Sequence, residues 1–406
     1  MQPKDAGSRK RVSANPALIR QLNVARVFHA LRLHPGASQR ELSGITSLDR
    51  ATVSAVVAQL EGEGLVVRGS RRTAGRVGRP EVALSVAEDA GVLLGARLEP
   101  GSIRLIATSL VGRKRATLQL PSSTDPERAA NLLVEGAARL LAEAGVDESA
   151  VRGIGVGVPA LMQLDGTLRL APNFGWREVQ VKGFLDGRFA APVQVDNDTN
   201  AAALAEKLFG SCQRVSDFVF VAGHSGVGGA LYLGGRLYRG LHGFAGEIGH
   251  IKVVPGGRPC GCGAKGCLEA YLSEPNLLAQ AVEAGVRVDD LGALRARADA
   301  GEPAAAAVLT RAGEYLGDVL AGVVNLLDPE RIVLGGNLTT VGEPLLAAAR
   351  GRLQENALEA TASGCELTVS PLGLDAVTMG GVALALEGFL SLPSWLAATE
   401  IQDSFG

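Results

Sequence analysis

The sequence predicts an α/β protein preceded by a small α+β winged helix-turn-helix. Three observations carry that expectation. The first 85 residues hold 14 basic and 6 acidic side chains, while the rest hold 26 basic and 36 acidic. A basic segment of net +8 therefore precedes a body of net −10, which points to an anionic partner for the first part only. The basic segment shows three helical periods, then two short β-rich runs around an arginine-rich loop. In the body, apolar runs such as Val151–Pro159 and Arg331–Asn337 read as buried strands, set among Ala/Leu-rich helical stretches.

In the first part, Leu18, Leu22, Val27 and Leu31 mark a helix over Ala17–Leu33, which Pro35-Gly36 ends. Ser38-Gln-Arg-Glu41 has the spacing of a capping box and starts a second helix that carries Leu42 inward. Asp49 can cap a third, whose Val53, Val56, Val57 and Leu60 form one buried face before Gly64 stops it. Arg50, Thr52, Ser54 and Gln59 fall on its other faces. Leu65–Arg68 and Val82–Val86 read as the two strands of a wing around Arg71, Arg72, Arg76 and Arg79. Such a third helix enters the major groove of double-stranded DNA, where Arg50, Thr52, Ser54 and Gln59 are the candidates for base edges. Arg76-Val-Gly-Arg79-Pro80 suits phosphates or a minor groove. The competing reading is a small helical dimerisation module. The expected domain spans residues 1–86.

The most informative stretch of the body is 243–273. Cys260, Cys262 and Cys267 are separated by glycine-rich turns, with His250 ten residues upstream. Three thiolates and an imidazole make a closed tetrahedral shell of the structural zinc type. Reduced, unmetallated cysteines in a loop are the alternative. Glu247 and Glu269 flank these ligands. With only five cysteines, three of them here, the chain is no disulfide scaffold, and Cys212 and Cys365 read as small buried hydrophobes. No run of eighteen uncharged apolar residues occurs, and the polar, basic amino terminus has no apolar core of a signal peptide. The expectation is a soluble cytoplasmic protein.

Glu247-x-Gly-His250 followed by Cys260-x-Cys262-Gly-x-x-Gly-Cys267-x-Glu269 resembles the zinc motif of the ROK family of repressors, open reading frames and sugar kinases. The amino-terminal part, with its Gly-Arg-Pro in the wing, resembles the DNA-binding domain of the family's repressor branch. The resemblance implies an actin-like, RNase H-like two-lobed sugar-kinase fold. Its lobes would be 87–200 plus 375–406, and 201–374 with the zinc motif. It implies zinc on His250, Cys260, Cys262 and Cys267, and sugar hydroxyls on His250, Glu247 and Glu269. Ala171-Pro-Asn173-Phe-Gly-Trp176 is similar to the loop that places an asparagine and an aromatic near the sugar. Asn197-Asp198, at the end of a strand over Pro192–Val195, matches the pair whose aspartate is the base in the kinases; on local evidence the pair could simply cap a helix. Gly223-His-Ser-Gly226 resembles a second phosphate loop, though a tight hairpin explains it equally well. Gly335-Gly336-Asn337 resembles the adenosine-side motif, and Met379-Gly380-Gly381 opens a last helix returning to the first lobe. His224 and His242 read as ordinary loop histidines.

One departure is pronounced. Where the kinases have an Asp-x-Gly-x-Thr phosphate loop, this chain has Arg97, Glu99 and Gly101. The expectation is therefore no kinase activity, with Asp198 a vestigial base. Carboxylates and amides at Asn173, Asn197, Asp198, Glu247 and Glu269 suit polyol hydroxyls, which both donate and accept. The function implied is a sugar-responsive transcriptional repressor of carbohydrate metabolism, a homodimer or homotetramer, with a sugar or sugar phosphate as effector. Two rivals stand beside it: an active sugar kinase carrying a DNA-binding domain, and a regulator whose effector is a partner protein.

Overall fold

Ser38 and Asp49 set where the helices of the amino-terminal unit begin. A computed structural model describes residues 16–72 and 81–390. The chain divides into one unit over the first 90 residues and a second from Gly91 to Phe389. The first unit contains α1 (Pro16–Leu33), α2 (Gln39–Thr46), α3 (Arg50–Gly62), β1 (Val66–Arg72) and β2 (Glu81–Val86). Both halves of the Ser38 capping box form: the Ser38 N–H donates to Glu41 Oε2 at 2.7 Å, and the Glu41 N–H to Ser38 Oγ at 3.3 Å. The Thr52 N–H donates to Asp49 Oδ1 at 2.8 Å. Such caps satisfy amides that the first helical turn leaves orphaned. Phe28, Leu31, Leu42, Val53, Val57, Leu60 and Leu84 are buried together as the unit's core. β1 and β2 pair antiparallel, Val66 opposite Val86, and Ala37 bridges to Leu84. Arg76 and Arg79 lie outside the described residues.

The second unit holds two five-stranded sheets of one design. In the first, β3 (Val92–Glu99), β4 (Ser102–Ser109) and β5 (Lys114–Leu120) make an antiparallel meander. After α4 (Pro126–Glu143) comes β6 (Val151–Val158). A small three-stranded sheet follows, of β7 (Leu161–Met162), β8 (Leu168–Ala171) and β9 (Trp176–Val179). Next are α5 (Val181–Leu185), β10 (Val193–Asn197) and α6 (Asp198–Leu208). The first sheet runs β10-β6-β3-β4-β5, with β6 and β10 parallel to β3.

The second sheet repeats this plan. β11 (Phe218–Gly223), β12 (Val227–Leu233) and β13 (Arg236–Tyr238) form its meander. Four helices follow: α7 (Glu269–Leu272), α8 (Glu274–Glu283), α9 (Leu291–Asp299) and α10 (Pro303–Leu327). The chain ends with β14 (Arg331–Gly336), α11 (Glu343–Asn356), α12 (Glu359–Ala362), β15 (Glu366–Val369) and α13 (Ala376–Phe389). The order β13-β12-β11-β14-β15 matches the first sheet strand for strand. A duplicated sheet of this order, with a helix closing back on the first, is the two-lobed architecture the resemblance implied.

The sequence reading missed β5, whose alternating exposed and covered residues carry Lys and Arg outward. α13 begins at Ala376, three residues before the Met379 expected. It lies against the glycines of β3 and β6. A Cβ on Gly155 would fall 2.0 Å from Gly381 O, and one on Gly95 would fall 2.4 Å from Thr378 O. Those glycines admit a helix backbone to the sheet. Cys212 is fully buried, but Cys365 is only half-buried. Among the described residues, no helix is long and apolar enough to cross a membrane.

Candidate functional site

Asp198 is the first residue of α6, directly after β10, and the chain's geometry explains its position. Asn197 is the N-cap: its Oδ1 accepts from the N–H groups of Thr199 (3.0 Å) and Asn200 (2.9 Å). Its Nδ2 donates to Ala160 O at 3.0 Å. The Asn197 amide is thus largely committed to holding the strand–helix junction, which leaves Asp198 presented to a cleft. That cleft has a volume of about 650 Å³. Asn173, Asn197, Asp198, Glu247, His250 and Glu269 all line it, so the structure brings the six expected side chains together. Asn173 Nδ2 lies 3.5 Å from Ser225 Oγ across it. An aromatic of the same loop was expected near a ligand, but neither Phe174 nor Trp176 lines the cleft. Phe174 and Trp176 stack on each other 4.1 Å apart, are buried in the core, and Trp176 Nε1 donates to Thr124 O.

Electrostatics in the cleft is dominated by acid. Burial pushes the Asp198 carboxyl above the usual carboxylate range, while Arg97 and Thr199 pull it back. The Glu247 side chain is 40 % exposed and lines the cleft. Enclosure there, then the charges of Asp198 and Glu269, push it up to about 7. A carboxyl that is part protonated near neutral pH can both donate to and accept from hydroxyls.

Behind Glu247 lies the cysteine cluster. One donor atom from each of His250, Cys260, Cys262 and Cys267 lies within 4.8 Å of the others. Cys262 Sγ and Cys267 Sγ are 3.7 Å apart, and Cys260 Sγ is 3.7 Å from His250 Nδ1. Tetrahedral zinc bond lengths give edges of about 3.8 Å between sulfurs and about 3.6 Å between sulfur and nitrogen. The four donors therefore fit such an ion. With Nδ1 facing the cluster, His250 Nε2 faces Glu247, 3.8 Å from its Oε2. Glu269 joins cluster and cleft: Oε1 is 3.3 Å from Cys260 Sγ, and Oε2 accepts the Val227 N–H at 3.1 Å. Gly226 is required beside it, since a Cβ there would sit 2.6 Å from Glu269 Oε2.

Two features escaped the sequence reading. Asp196 and Arg239 form a buried bidentate pair, with contacts of 2.9 and 2.5 Å. The pair ties the Asp198 segment to the loop bearing Glu247, because Arg239 O also accepts the Ala245 N–H. No local pattern marks partners 43 positions apart. His224 is the second. It is not an ordinary loop histidine: it is 7 % exposed and lines the cleft. Burial, aided by the positive charge of Arg97, lowers its pKa to about 3, so it stays neutral. His242 remains on the surface. Arg97 and Glu99, which the sequence comparison set at the positions of a phosphate loop, are ion-paired with each other.

In the first unit, Arg50 and Ser54 are exposed at the start of α3. Thr52 Oγ1 donates to Asp49 Oδ2 at 2.6 Å. Gln59 is held between Arg20 and Glu63, at 3.2 and 2.9 Å.

The chain matches two family models: the ROK family over residues 100–388 and the MarR family over residues 20–77. It is 30 % identical to a xylose repressor of Caldicellulosiruptor bescii, over 94 % of this chain and 99 % of that protein. A solved ROK family transcriptional regulator, a homologue of the E. coli Mlc protein, superposes with a TM-score of 0.80. It is 28 % identical, covering 94 % of this chain and 99 % of that one. A ROK glucokinase from Streptomyces griseus, solved with glucose and AMPPNP, gives a TM-score of 0.65. It is 27 % identical and covers 73 % of this chain and 99 % of that one. The two proteins matched over 94 % of this chain are by name a repressor and a transcriptional regulator. With a match across most of its length and both units accounted for, the chain belongs to the ROK family.

Proposed function

We propose that this protein is a sugar-responsive transcriptional repressor of carbohydrate metabolism acting in the cytoplasm. The observation that carries the reading is a cleft walled by Asp198, Glu247, Glu269 and Asn173 in the same chain as a MarR-type DNA-binding unit. The regulator names of the full-length relatives support it. The DNA-binding domain is residues 1–86, and the lobes are 87–200 plus 375–406, and 201–374. The effector is a monosaccharide or its phosphate, bound by carboxylates and an amide. A zinc ion on His250, Cys260, Cys262 and Cys267 would hold Glu247 and Glu269 at their stations; it supplies structure, not catalysis. The protein works as a homodimer or homotetramer, since a two-fold pair of winged helices matches a palindromic operator.

At the DNA, reading of bases falls to Arg50 and Ser54, because Thr52 and Gln59 are engaged within the unit. Arg76 and Arg79 are assigned to phosphates or the minor groove. Phosphoryl transfer is not expected, since Arg97 stands where a kinase places an acid. A thermal-shift screen over sugars and sugar phosphates identifies the effector, because a ligand that binds the native state raises Tm. Operator binding by fluorescence anisotropy with and without that compound then tests regulation; identical curves would reject it. The kinase reading keeps one specific support, Asp198 at a strand–helix junction facing the cleft. A coupled ATP assay with the same sugars decides it.

A further inference from the structure

The small sheet of β7, β8 and β9 gives the cleft a group that sugar hydroxyls do not call for. Trp176 opens β9 and, with its register partner Ala171 on β8, is buried in the core. Side chains alternate along a strand, so Arg177 leaves on the opposite face. Its own register partner is Leu170, and register partners share one face of a sheet. Leu170 and Arg177 both line the cleft, so that face of the small sheet is part of its wall. Asn173 joins the same wall from the turn between β8 and β9.

Arg177 is the one lysine or arginine among the residues lining the cleft. It is exposed, and its side chain has no ion pair or hydrogen bond among the described residues. The arginines around it are committed: Arg169 to Glu178, Arg97 to Glu99 and Arg239 to Asp196. Its sequence neighbour Glu178 is thus already taken, and none of the cleft carboxylates pairs with it.

A guanidinium offers five donors and no acceptor. Sugar hydroxyls both donate and accept, and the acids and amide of the cleft already suit them, so a neutral sugar makes little use of this charge. A phosphate ester is different. It carries a charge of about −1.5 to −2 near neutral pH, and a planar guanidinium grips two of its oxygens at once. A cleft lined by Asp198, Glu247 and Glu269 repels an anion wherever no cation receives it. The wall at β9 is where the lining provides that cation. We infer that the effector is a phosphorylated monosaccharide, with its phosphate on Arg177 and its ring hydroxyls on Asp198, Glu247 and Glu269. Arg177 is then the residue that separates a sugar phosphate from its parent sugar, and it fixes which end of the ligand faces the small sheet.

The inference rests on the reading of the cleft as the effector site and narrows it. Full-length protein is titrated by calorimetry with aldopentoses, aldohexoses and N-acetylhexosamines, each beside its terminal monophosphate and, for the hexoses, its uronate. One phosphate should bind about tenfold or more tighter than its parent sugar, and the ratio should shrink as salt is raised. Arg177→Gln should bring the ratio to about twofold or less, and Arg177→Lys, which keeps the charge without the fork, should hold part of it. An exposed, unpaired side chain can be replaced without loss of the fold, and an unchanged Tm in the absence of ligand checks this. Sugars that bind with no gain from phosphate would overturn the inference and leave the effector site standing. So would a phosphate preference that survives Arg177→Gln, or a uronate that binds tighter than the phosphate. If no compound of the panel binds, the effector reading itself fails and this inference falls with it.

Discussion

His224 shows how a single side chain changes meaning between sequence and structure. Its neighbours in sequence are a glycine and a serine, the setting of a loop. In the fold it sits against Gly336, whose Cβ would lie 2.3 Å from its Nε2, and burial keeps it neutral down to about pH 3. That shift has a sign. The folded-state pKa lies below the ordinary histidine value, so the unfolded chain binds the proton first as pH falls. Stability attributable to His224 is intact above the ordinary histidine pKa and is lost as pH drops below it. The loss comes to about 2 kcal/mol between pH 7.5 and pH 5. Urea denaturation at those two pH values should show a smaller drop for His224→Gln by that amount; equal drops would place the proton elsewhere. Asp196 and Arg239 teach the same lesson differently. Arg239→Ala leaves a buried carboxylate unpaired, which costs about 3–5 kcal/mol. Asp196→Asn with Arg239→Gln, which removes both charges, should recover much of that loss in a thermal melt.

At the scale of elements, the amino-terminal unit was legible because its signals are local. A capping box spans four residues, and the Val53–Leu60 stripe spans two turns of one helix. The cysteine spacing was legible for the same reason. What could not be read was whatever depends on the opposite wall. An aromatic of the 171–176 loop was expected beside a ligand, yet Phe174 and Trp176 stack on each other in the core. Thr52 and Gln59 were chosen as DNA readers by helix face alone, and the bonds they also make to Asp49, Arg20 and Glu63 carry no local signature. Two predictions belong here. Arg50→Ala should weaken operator binding and lower its salt dependence by about one counterion, Ser54→Ala should alter sequence preference, and Gln59→Ala should do neither. Equal effects at operator and random DNA for Ser54→Ala would remove α3 from base reading. In the cysteine loop, Cys262→Ser should lose the metal by elemental analysis and raise amide exchange around Glu269. Misplacing one charged hydrogen-bond partner costs about 1.5–3 kcal/mol, so sugar affinity should fall about tenfold or more. Zinc-free protein as purified would overturn the assignment of the metal.

The whole molecule raises the question of coupling. Asp198 begins a helix that follows the first sheet, and Glu247 sits on a loop that follows the meander of the second, so one ligand touching both acids can favour one arrangement of the lobes. A ligand shifts an equilibrium only by its differential affinity for the two states, about 1–3 kcal/mol in allosteric systems. The expected change in operator affinity is therefore about 5–150-fold. Linkage makes it reciprocal: operator DNA must change sugar affinity by the same factor. Glu247→Ala removes one of the two walls a sugar can read. It should abolish the sugar's effect on operator affinity while leaving sugar-free affinity nearly unchanged, since Glu247 belongs to the body and α3 to the DNA-binding unit. Asp198→Asn keeps the shape but exchanges an acceptor oxygen for an amide donor, so the response should weaken without vanishing. Neither result should need ATP. Anisotropy on labelled operator measures one direction and calorimetry with and without operator measures the other. If Glu247→Ala responds to the effector as the unmodified protein does, the cleft between these acids is not where the signal enters.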